Sequence, residues 1–244
     1  METKITRKNT LESPKLIAHR GYAVEAPQNS IPAFMEAGKL GFWAIETDVH
    51  KTKDGVLVCN HNDSVDEMYH GSGKIAEMTY QELATLRIKT KKDDAAYSKE
   101  ELTIPTFREY LEICKTYGSL PFIETKTGDI AEVVALACEF FPEKDVIISS
   151  VSLAHLESAK KICPDVFVHH IFSNKQAVQR LSEFGYCGVS YNCPEYGGFS
   201  PEILNYTHQA GVLCCLRAGD TKEAVRGMIR KGLDYIPTNC IAKL

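Results

Sequence analysis

The feature that most constrains the fold of this chain is a regular alternation, from residue 118 onward, of short apolar runs with amphipathic segments of helix length. One such segment, 200–211, begins with Ser-Pro and ends in Gly, which are signals of helix boundaries. Apolar runs separated by helices are typical of a parallel sheet that is covered on both faces. The runs of strand length lie at residues 120–126, 145–151, 166–172, 187–192, 212–217 and 233–238.

The first half of the chain follows a similar but less regular pattern. It adds predicted strands at 15–21, 43–49 and 56–61 and predicted helices at 29–41, 79–86 and 106–118. The second and third of these strands are joined through Asp54-Gly55, which is too short for a helical crossover and predicts a hairpin. One of the nine strands is therefore extra or irregular. We predict an α/β fold, a (β/α)8 TIM barrel with a distorted early βαβ section.

The alternative fold is a doubly wound open sheet, but the sequence has no G-x-G-x-x-G or phosphate-loop motif to support it. Residues 1–244 are predicted to form a single barrel domain, a usual size for this fold. Residues 62–104 are polar, rich in Gly and Lys, and contain one clear helix. We predict that they form an insertion over the active-site end of the barrel.

Composition excludes several classes of function. The net charge of −4 lacks the excess of positive charge that nucleic-acid binding requires, so no nucleic-acid partner is expected. No apolar run reaches the length of a transmembrane helix. The polar start of the chain does not resemble a secretory signal, and the nine cysteines form no C-x-x-C pair. We therefore expect a cytoplasmic, reducing location.

Ionisable residues end four consecutive strand segments of the predicted barrel. In this fold the carboxyl ends of the strands form the active site, so these side chains are expected to meet at one rim. A single case has an ordinary structural explanation, but four convergent cases are difficult to explain by core packing, because buried charges must be paired or bound to metal. In chain order, the residues are His19, Arg20, Glu46, Asp48, His61, Glu124 and Lys126.

The residue types indicate a chemistry. Glu46 and Asp48 are two apart on one strand and therefore point to the same side. With Glu124 they provide three carboxylates, which suit a hard cation such as Mg²⁺ or Ca²⁺. His19 and His61 have two interpretations, as further metal ligands or as a general acid and base.

Arg20 and Lys126 have no obvious role beside a metal unless the substrate is an anion. A guanidinium group offers a fork to phosphate oxygens, and an ammonium group offers a point charge. Cations that neutralise phosphoryl oxygens, together with histidines that move protons, describe a phosphodiester site.

The ordered motifs resemble those of the glycerophosphodiester phosphodiesterases. They are "HRG", "PQNS", "AF", "AGKLG", "IETDVHKTKDGVLVCNHN", "GSGKI", "MTYQEL" and "FIETK" over residues 16–126, with weaker matches at "IISSV" and "GLDYIPTN". The resemblance implies a (β/α)8 barrel that hydrolyses small-molecule glycerophosphodiesters to glycerol 3-phosphate and an alcohol, with one divalent cation, Mg²⁺ or Ca²⁺, or alternatively Mn²⁺.

The resemblance also implies roles by position. Glu46, Asp48 and Glu124 match the metal ligands of the family. His19 and His61 match its general acid/base pair. Arg20 and Lys126 match its phosphate-binding residues.

The sequence departs from the family pattern at four places. Gln28 replaces a usual Glu, Asn62 replaces an Asp after the second His, and Asn239 replaces the Asp of a closing Thr-Asp pair. Cys215-Leu216 stands about where the family favours Trp-Thr. Asn62 keeps an acceptor oxygen but loses the charge, so the pKa of a nearby imidazolium is expected to fall. These changes affect substrate identity more than reaction type.

Two alternative functions remain open from sequence. One is a catalytically weakened barrel that binds phosphate esters and has a regulatory role, suggested by Asn62 and the missing Trp. The other uses Lys126 as a Schiff-base amine, which needs a low pKa, whereas Asp48 and Glu124 nearby are expected to raise it.

Further strand-end residues are weaker candidates for the rim. At most one of two adjacent histidines on a strand is expected to face the site. These residues are His169, His170, Ser149, Ser150, Tyr191 and Asn192.

Overall fold

The protein is a nearly closed barrel of parallel strands, as seen in a computed structural model that describes residues 4–24, 26–90, 97–98, 100–191, 199–216 and 219–244. Eight strands are neighbours in the order β8-β7-β6-β5-β4-β2-β1-β9, and every pair along this path is parallel. This confirms the predicted TIM barrel. The strands are β1 (Leu16–Ala18), β2 (Ala44–Lys51), β3 (Leu57–Cys59), β4 (Leu120–Thr125), β5 (Ile147–Ser150), β6 (Phe167–His170), β7 (Cys187–Tyr191), β8 (Leu213–Leu216) and β9 (Ile236–Thr238).

The two ends of this strand path approach each other and complete the barrel. The backbone N–H of Asp234, just before β9, donates to the carbonyl of Cys214 on β8 at 2.9 Å. The sequential strand order and this closing contact are those of a barrel, so the open doubly wound sheet is wrong.

Strand β3 lies off the barrel path and pairs with β2 in antiparallel register. The hairpin turn between them includes a hydrogen bond from Gly55 N–H to the carbonyl of Thr52 at 3.1 Å. Gly55 has φ +89°, a backbone conformation that glycine adopts without a steric penalty. The predicted hairpin and extra strand are therefore confirmed.

Helices follow most of the barrel strands and begin at polar cap residues. Ser30 caps the first helix through its hydroxyl and is followed by Pro32 in the first turn. Thr106 and Glu109 form a reciprocal capping box, and the same helix ends at Gly118 with φ +73°. The helices are α1 (Ile31–Lys39), α2 (Tyr80–Leu83), α3 (Phe107–Tyr117), α4 (Ile130–Phe140), α5 (Leu153–Ile162), α6 (Lys175–Ser182), α7 (Pro201–Gln209) and α8 (Lys222–Arg230).

The inside of the barrel changes from apolar to polar along five of its described strands. Because side chains alternate across a strand, residues two apart share the inner face. Apolar inner residues near the amino ends of the strands form one buried cluster, whose members include Ile17, Ala44, Phe122, Ile147 and Phe167. Two residues further along, the same strands carry His19, Glu46, Glu124, Ser149 and His169. The strand period alone therefore places the polar residues in one layer above an apolar floor.

The side chain of Tyr235 packs among these apolar residues, and its hydroxyl lies so close to Gly188 that no larger residue fits there. A Cβ atom added to Gly188 would lie 2.1 Å from Tyr235 Oη and 2.8 Å from Phe167 Cζ. Overpacking of this kind costs about 1–3 kcal/mol, so Gly188→Ala is expected to lower the free energy of unfolding by that amount. Urea unfolding measures the change. At the matched control, Gly128→Ala, a Cβ meets nothing within 4 Å; equal stability of the two variants would contradict the prediction.

Much of the predicted insertion packs around an apolar cluster of its own, which includes Val65, Tyr69, Ile75, Leu83 and Leu102. Its boundaries at 62 and 104, the single-domain assignment and its position over the active-site end stay predictions.

Within the described ranges, no helix combines the length and the apolarity that a membrane crossing requires.

Candidate active site

Three carboxylates come together inside the carboxyl end of the barrel. Strands β2 and β4 are neighbours, and their register pairs Asp48 with Glu124. Glu46 lies two residues before Asp48 on the same inner face. One carboxylate oxygen from each of the three residues lies within 4.8 Å of the others. Glu46 and Asp48 are buried, with exposed fractions of 5% and 0%.

The electrostatics of these carboxylates favour a cation between them. Burial, followed by the charges of Asp48 and Glu124, raises the pKa of Glu46 well above its ordinary value. Burial and the charge of Asp48 also raise the pKa of Glu124. Buried carboxylates that destabilise one another in this way are stabilised by a cation.

The donor atoms suit a divalent metal. Asp48 Oδ1 is buried and accepts no hydrogen bond from any described residue, although the ammonium of Lys126 lies 3.2 Å away as an ion pair. Carboxylate oxygens without thiolates are the ligands that hard cations prefer. The three residues Glu46, Asp48 and Glu124 therefore fit Mg²⁺, Ca²⁺ or Mn²⁺.

A buried asparagine holds the central carboxylate and was not predicted as a site residue. Asn29 donates from its side-chain N–H to Asp48 Oδ2 at 2.9 Å and accepts from the hydroxyl of Thr47 at 2.8 Å. In the sequence Asn29 directly precedes Ser30, the residue that caps the first helix. Its contact with Asp48 depends on tertiary packing, so no local signal could have shown it.

Two cations stand beside the carboxylates. Arg20 donates through its backbone N–H to Glu46 Oε2 at 2.7 Å, and its guanidinium donates to Gln28 Oε1 at 2.8 Å. Lys126 donates to Glu124 and lies beside Asp48. Burial opposes its charge, but Asp48 and Glu124 more than offset this, so the pKa of Lys126 is raised. A raised pKa keeps this amine protonated and argues against a Schiff base.

The two histidines line the same cavity. His19 follows β1, and its Nδ1 lies 2.7 Å from Asn239 Oδ1. His61 follows β3, and its Nδ1 lies 2.7 Å from Asn62 Oδ1. Burial lowers the pKa of His19, and the hydrogen bond with Asn239 partly offsets that effect. The acceptor oxygen predicted for Asn62 is thus in contact with His61, whereas the contact of Asn239 with His19 was not predicted.

A cavity of about 340 Å³ opens above these groups. Asp48 lies beneath it, and the other six residues predicted as the site line its wall: His19, Arg20, Glu46, His61, Glu124 and Lys126. Val151 and Phe172 line it too and are 58% and 56% exposed. The cavity therefore has one charged side and one largely apolar side.

Some of the weaker rim candidates line the cavity and others do not. Ser149, His169 and Tyr191 line the cavity, and His169 Nδ1 lies 2.7 Å from the hydroxyl of Tyr235. His170 points elsewhere, with its Nε2 3.2 Å from the carbonyl of Val151. The hydroxyl of Ser150 accepts from the backbone N–H of Ser152. Asn192 lies outside the described residues.

A family model shows to which family the chain belongs. The model for the glycerophosphoryl diester phosphodiesterase family matches residues 19–243, nearly the whole chain. The chain belongs to this family. It is therefore an enzyme, a phosphodiesterase, and the sequence resemblance is confirmed.

Individual relatives of the phosphodiesterase agree with this assignment. The chain is 30% identical over 230 residues to a glycerophosphodiester phosphodiesterase of Caldanaerobacter subterraneus subsp. tengcongensis, covering 92% of this chain and 93% of that one. The fold is similar to that of an Oleispira antarctica phosphodiesterase solved in complex with the product sn-glycerol 3-phosphate, with a TM-score of 0.80, 25% identity and 93% coverage of both chains. It is also similar to a glycerophosphodiester phosphodiesterase from Agrobacterium tumefaciens, with a TM-score of 0.78, 25% identity and coverage of 93% and 96%.

Proposed function

We propose that this phosphodiesterase hydrolyses small glycerophosphodiesters to sn-glycerol 3-phosphate and an alcohol, with one divalent cation and with His19 and His61 as general acid and base. The observation that carries the proposal is the group of three carboxylates within 4.8 Å, at the base of a cavity that two cations and two histidines also line. The product found in the related Oleispira antarctica enzyme supports the glycerol moiety.

The charged side of the cavity binds the phosphate. Glu46, Asp48 and Glu124 would hold the cation, which when bound neutralises and polarises a phosphoryl oxygen. Arg20 and Lys126 supply donors and positive charge to the remaining phosphate oxygens. These interactions strengthen as charge develops on the phosphate in the transition state.

The histidines move the protons. One imidazole takes a proton from the attacking hydroxyl group, and the other donates a proton to the oxygen of the departing alcohol as the P–O bond breaks. The scheme is the same whether the attacking group is water or the glycerol hydroxyl of the substrate, which would form a cyclic phosphate first.

A substrate screen tests this function. Glycerophosphodiesters that differ in the alcohol, such as the choline, ethanolamine and glycerol esters, are incubated with Mg²⁺, Ca²⁺ or Mn²⁺ and scored for glycerol 3-phosphate. We expect release from at least one of them. Tight binding of glycerol 3-phosphate with no turnover of any diester would instead support the phosphate-ester-binding barrel of regulatory role.

A further inference from the structure

We propose that each catalytic histidine is held in one tautomer by an asparagine that is itself oriented by a carboxylate. Asn62 with Glu67 and Asn239 with Asp220 are then positioning residues for His61 and His19. The inference rests on the acid/base roles in the proposed function, but its structural part can be tested without turnover.

The first of these arrangements lies in the segment that follows β3. His61 Nδ1 is 2.7 Å from Asn62 Oδ1, and Asn62 Nδ2 donates to Glu67 Oε2 at 2.6 Å. Glu67 is exposed and lies five residues along the chain from Asn62. The asparagine is therefore placed between an imidazole and a carboxylate.

The second arrangement has the same order of groups but comes from the other end of the chain. His19 Nδ1 is 2.7 Å from Asn239 Oδ1, and Asn239 Nδ2 donates to Asp220 Oδ2 at 2.7 Å. The backbone N–H of Asn239 also donates to Asp220 Oδ1 at 2.8 Å. Asp220 is exposed, just before α8, and thus holds Asn239 at two points.

The carboxylate determines which ring nitrogen of the imidazole carries the proton. An ionised carboxylate only accepts hydrogen bonds, so the amide NH₂ of each asparagine must face it. The amide oxygen must then face the ring, and because an amide oxygen also only accepts, Nδ1 must carry a proton. In the neutral ring this leaves Nε2 unprotonated.

The remaining ring nitrogen is free for chemistry. Neither His19 Nε2 nor His61 Nε2 makes a hydrogen bond to a described residue, and both rings line the cavity. Each Nε2 can therefore accept a proton when the ring is neutral or donate one when it is charged. The opposite tautomer would present an N–H and could not act as a base.

A charge reversal at Glu67 tests the arrangement. The ammonium introduced by Glu67→Lys can only donate, so it favours a turned Asn62 amide that presents N–H to His61 and moves the ring proton to Nε2. We expect kcat to fall about 10-fold or more, within the range of lost acid–base catalysis, with KM changed less than about twofold. Glu77→Lys is the control, since Glu77 is exposed in the same segment.

A second substitution distinguishes orientation from general disruption. The second substitution is Asn62→Asp in the Glu67→Lys background. It puts a carboxylate at position 62, which accepts hydrogen bonds from both the introduced ammonium and His61 Nδ1. The double variant is therefore expected to recover most of the lost kcat. A merely structural contact predicts no such recovery. If the double variant is as slow as Glu67→Lys, or if Glu67→Lys matches the wild type, the proposal is wrong.

The tautomers themselves are measured by ¹⁵N NMR of the histidine rings, at a pH where the rings are neutral and without metal or substrate. We expect protonated Nδ1 and unprotonated Nε2 for His19 and His61, with signals assigned from single His→Gln variants, and a reversed pattern for His61 in Glu67→Lys. Protonated Nε2 in the wild type would overturn the inference. Failure of the substrate screen would instead count against the proposed function and leave the NMR result intact.

Discussion

Chelation of divalent cations is expected to abolish diester hydrolysis, and added Mg²⁺, Ca²⁺ or Mn²⁺ is expected to restore it. Without the cation, burial and the charge of Asp48 raise the pKa of Glu46 and of Glu124, and the phosphate would lose its main neutralising charge. The measurement is glycerol 3-phosphate release with and without chelator. Full activity in chelator would contradict the metal proposal.

Substitution of a proposed metal ligand is expected to lower activity for the same reason as chelation. Asp48→Asn is expected to lower activity at least about 10²-fold, and to remove the rise in Tm that bound metal gives the wild type by mass action. Glu132→Gln is the matched control, because Glu132 is a half-exposed carboxylate that pairs with Lys51 outside the cavity. A metal-dependent rise in Tm that persists in Asp48→Asn would place the cation elsewhere.

Removal of either catalytic histidine is expected to lower kcat about 10²-fold or more, the usual scale of lost acid–base catalysis. His19→Ala and His61→Ala each leave one proton transfer without its carrier, while Arg20, Lys126 and the cation that the carboxylates would hold would still bind the phosphate. KM is therefore expected to change much less than kcat. Steady-state kinetics on a diester found active in the screen measure both.

The control for the histidine variants is His70→Ala, since the side chain of His70 is exposed and lies outside the cavity. Thermal unfolding of all three variants checks that the fold is intact. Near-normal turnover in both His19→Ala and His61→Ala would contradict the acid/base assignment.

The cluster of three carboxylates was predictable because it depends on the periodicity of one strand and on the register of one pair of neighbouring strands. Glu46 and Asp48 share a face through the two-residue repeat of a strand, and β4 brings Glu124 beside Asp48 because neighbouring parallel strands end together. The extra strand was predictable as well, because Asp54-Gly55 has the chemistry of a tight turn.

Contacts across long chain separations were not predictable. Asn239 meets His19 only because β9 pairs with β1, at a separation of 220 residues. Asn29 contacts Asp48 from the loop before α1, and its residue type is equally suited to a helix cap. In both cases nothing in the local sequence distinguishes the asparagine, because its partner becomes a neighbour only in the closed barrel.

The antiparallel strand β3 links His61, one of the two proposed proton carriers, to the cluster of carboxylates. The backbone N–H of Asn60 donates to the carbonyl of Asp48 at 3.0 Å, and His50 Nε2 lies 3.3 Å from the carbonyl of His61. His61 and Asp48 are therefore held by one hairpin.

His19, by contrast, depends on the pairing of two three-residue strands. Its backbone N–H donates to the carbonyl of Thr238 at 3.1 Å, beside the Asn239 contact. β2 and β3 are joined by a tight turn, whereas β1 and β9 come from opposite ends of the chain, and sub-global opening need not involve the rest of a barrel. A transient opening between β1 and β9 would thus disengage His19 while the hairpin kept His61 in place, so under the proposed acid/base roles we expect the enzyme to lose activity before it loses its fold.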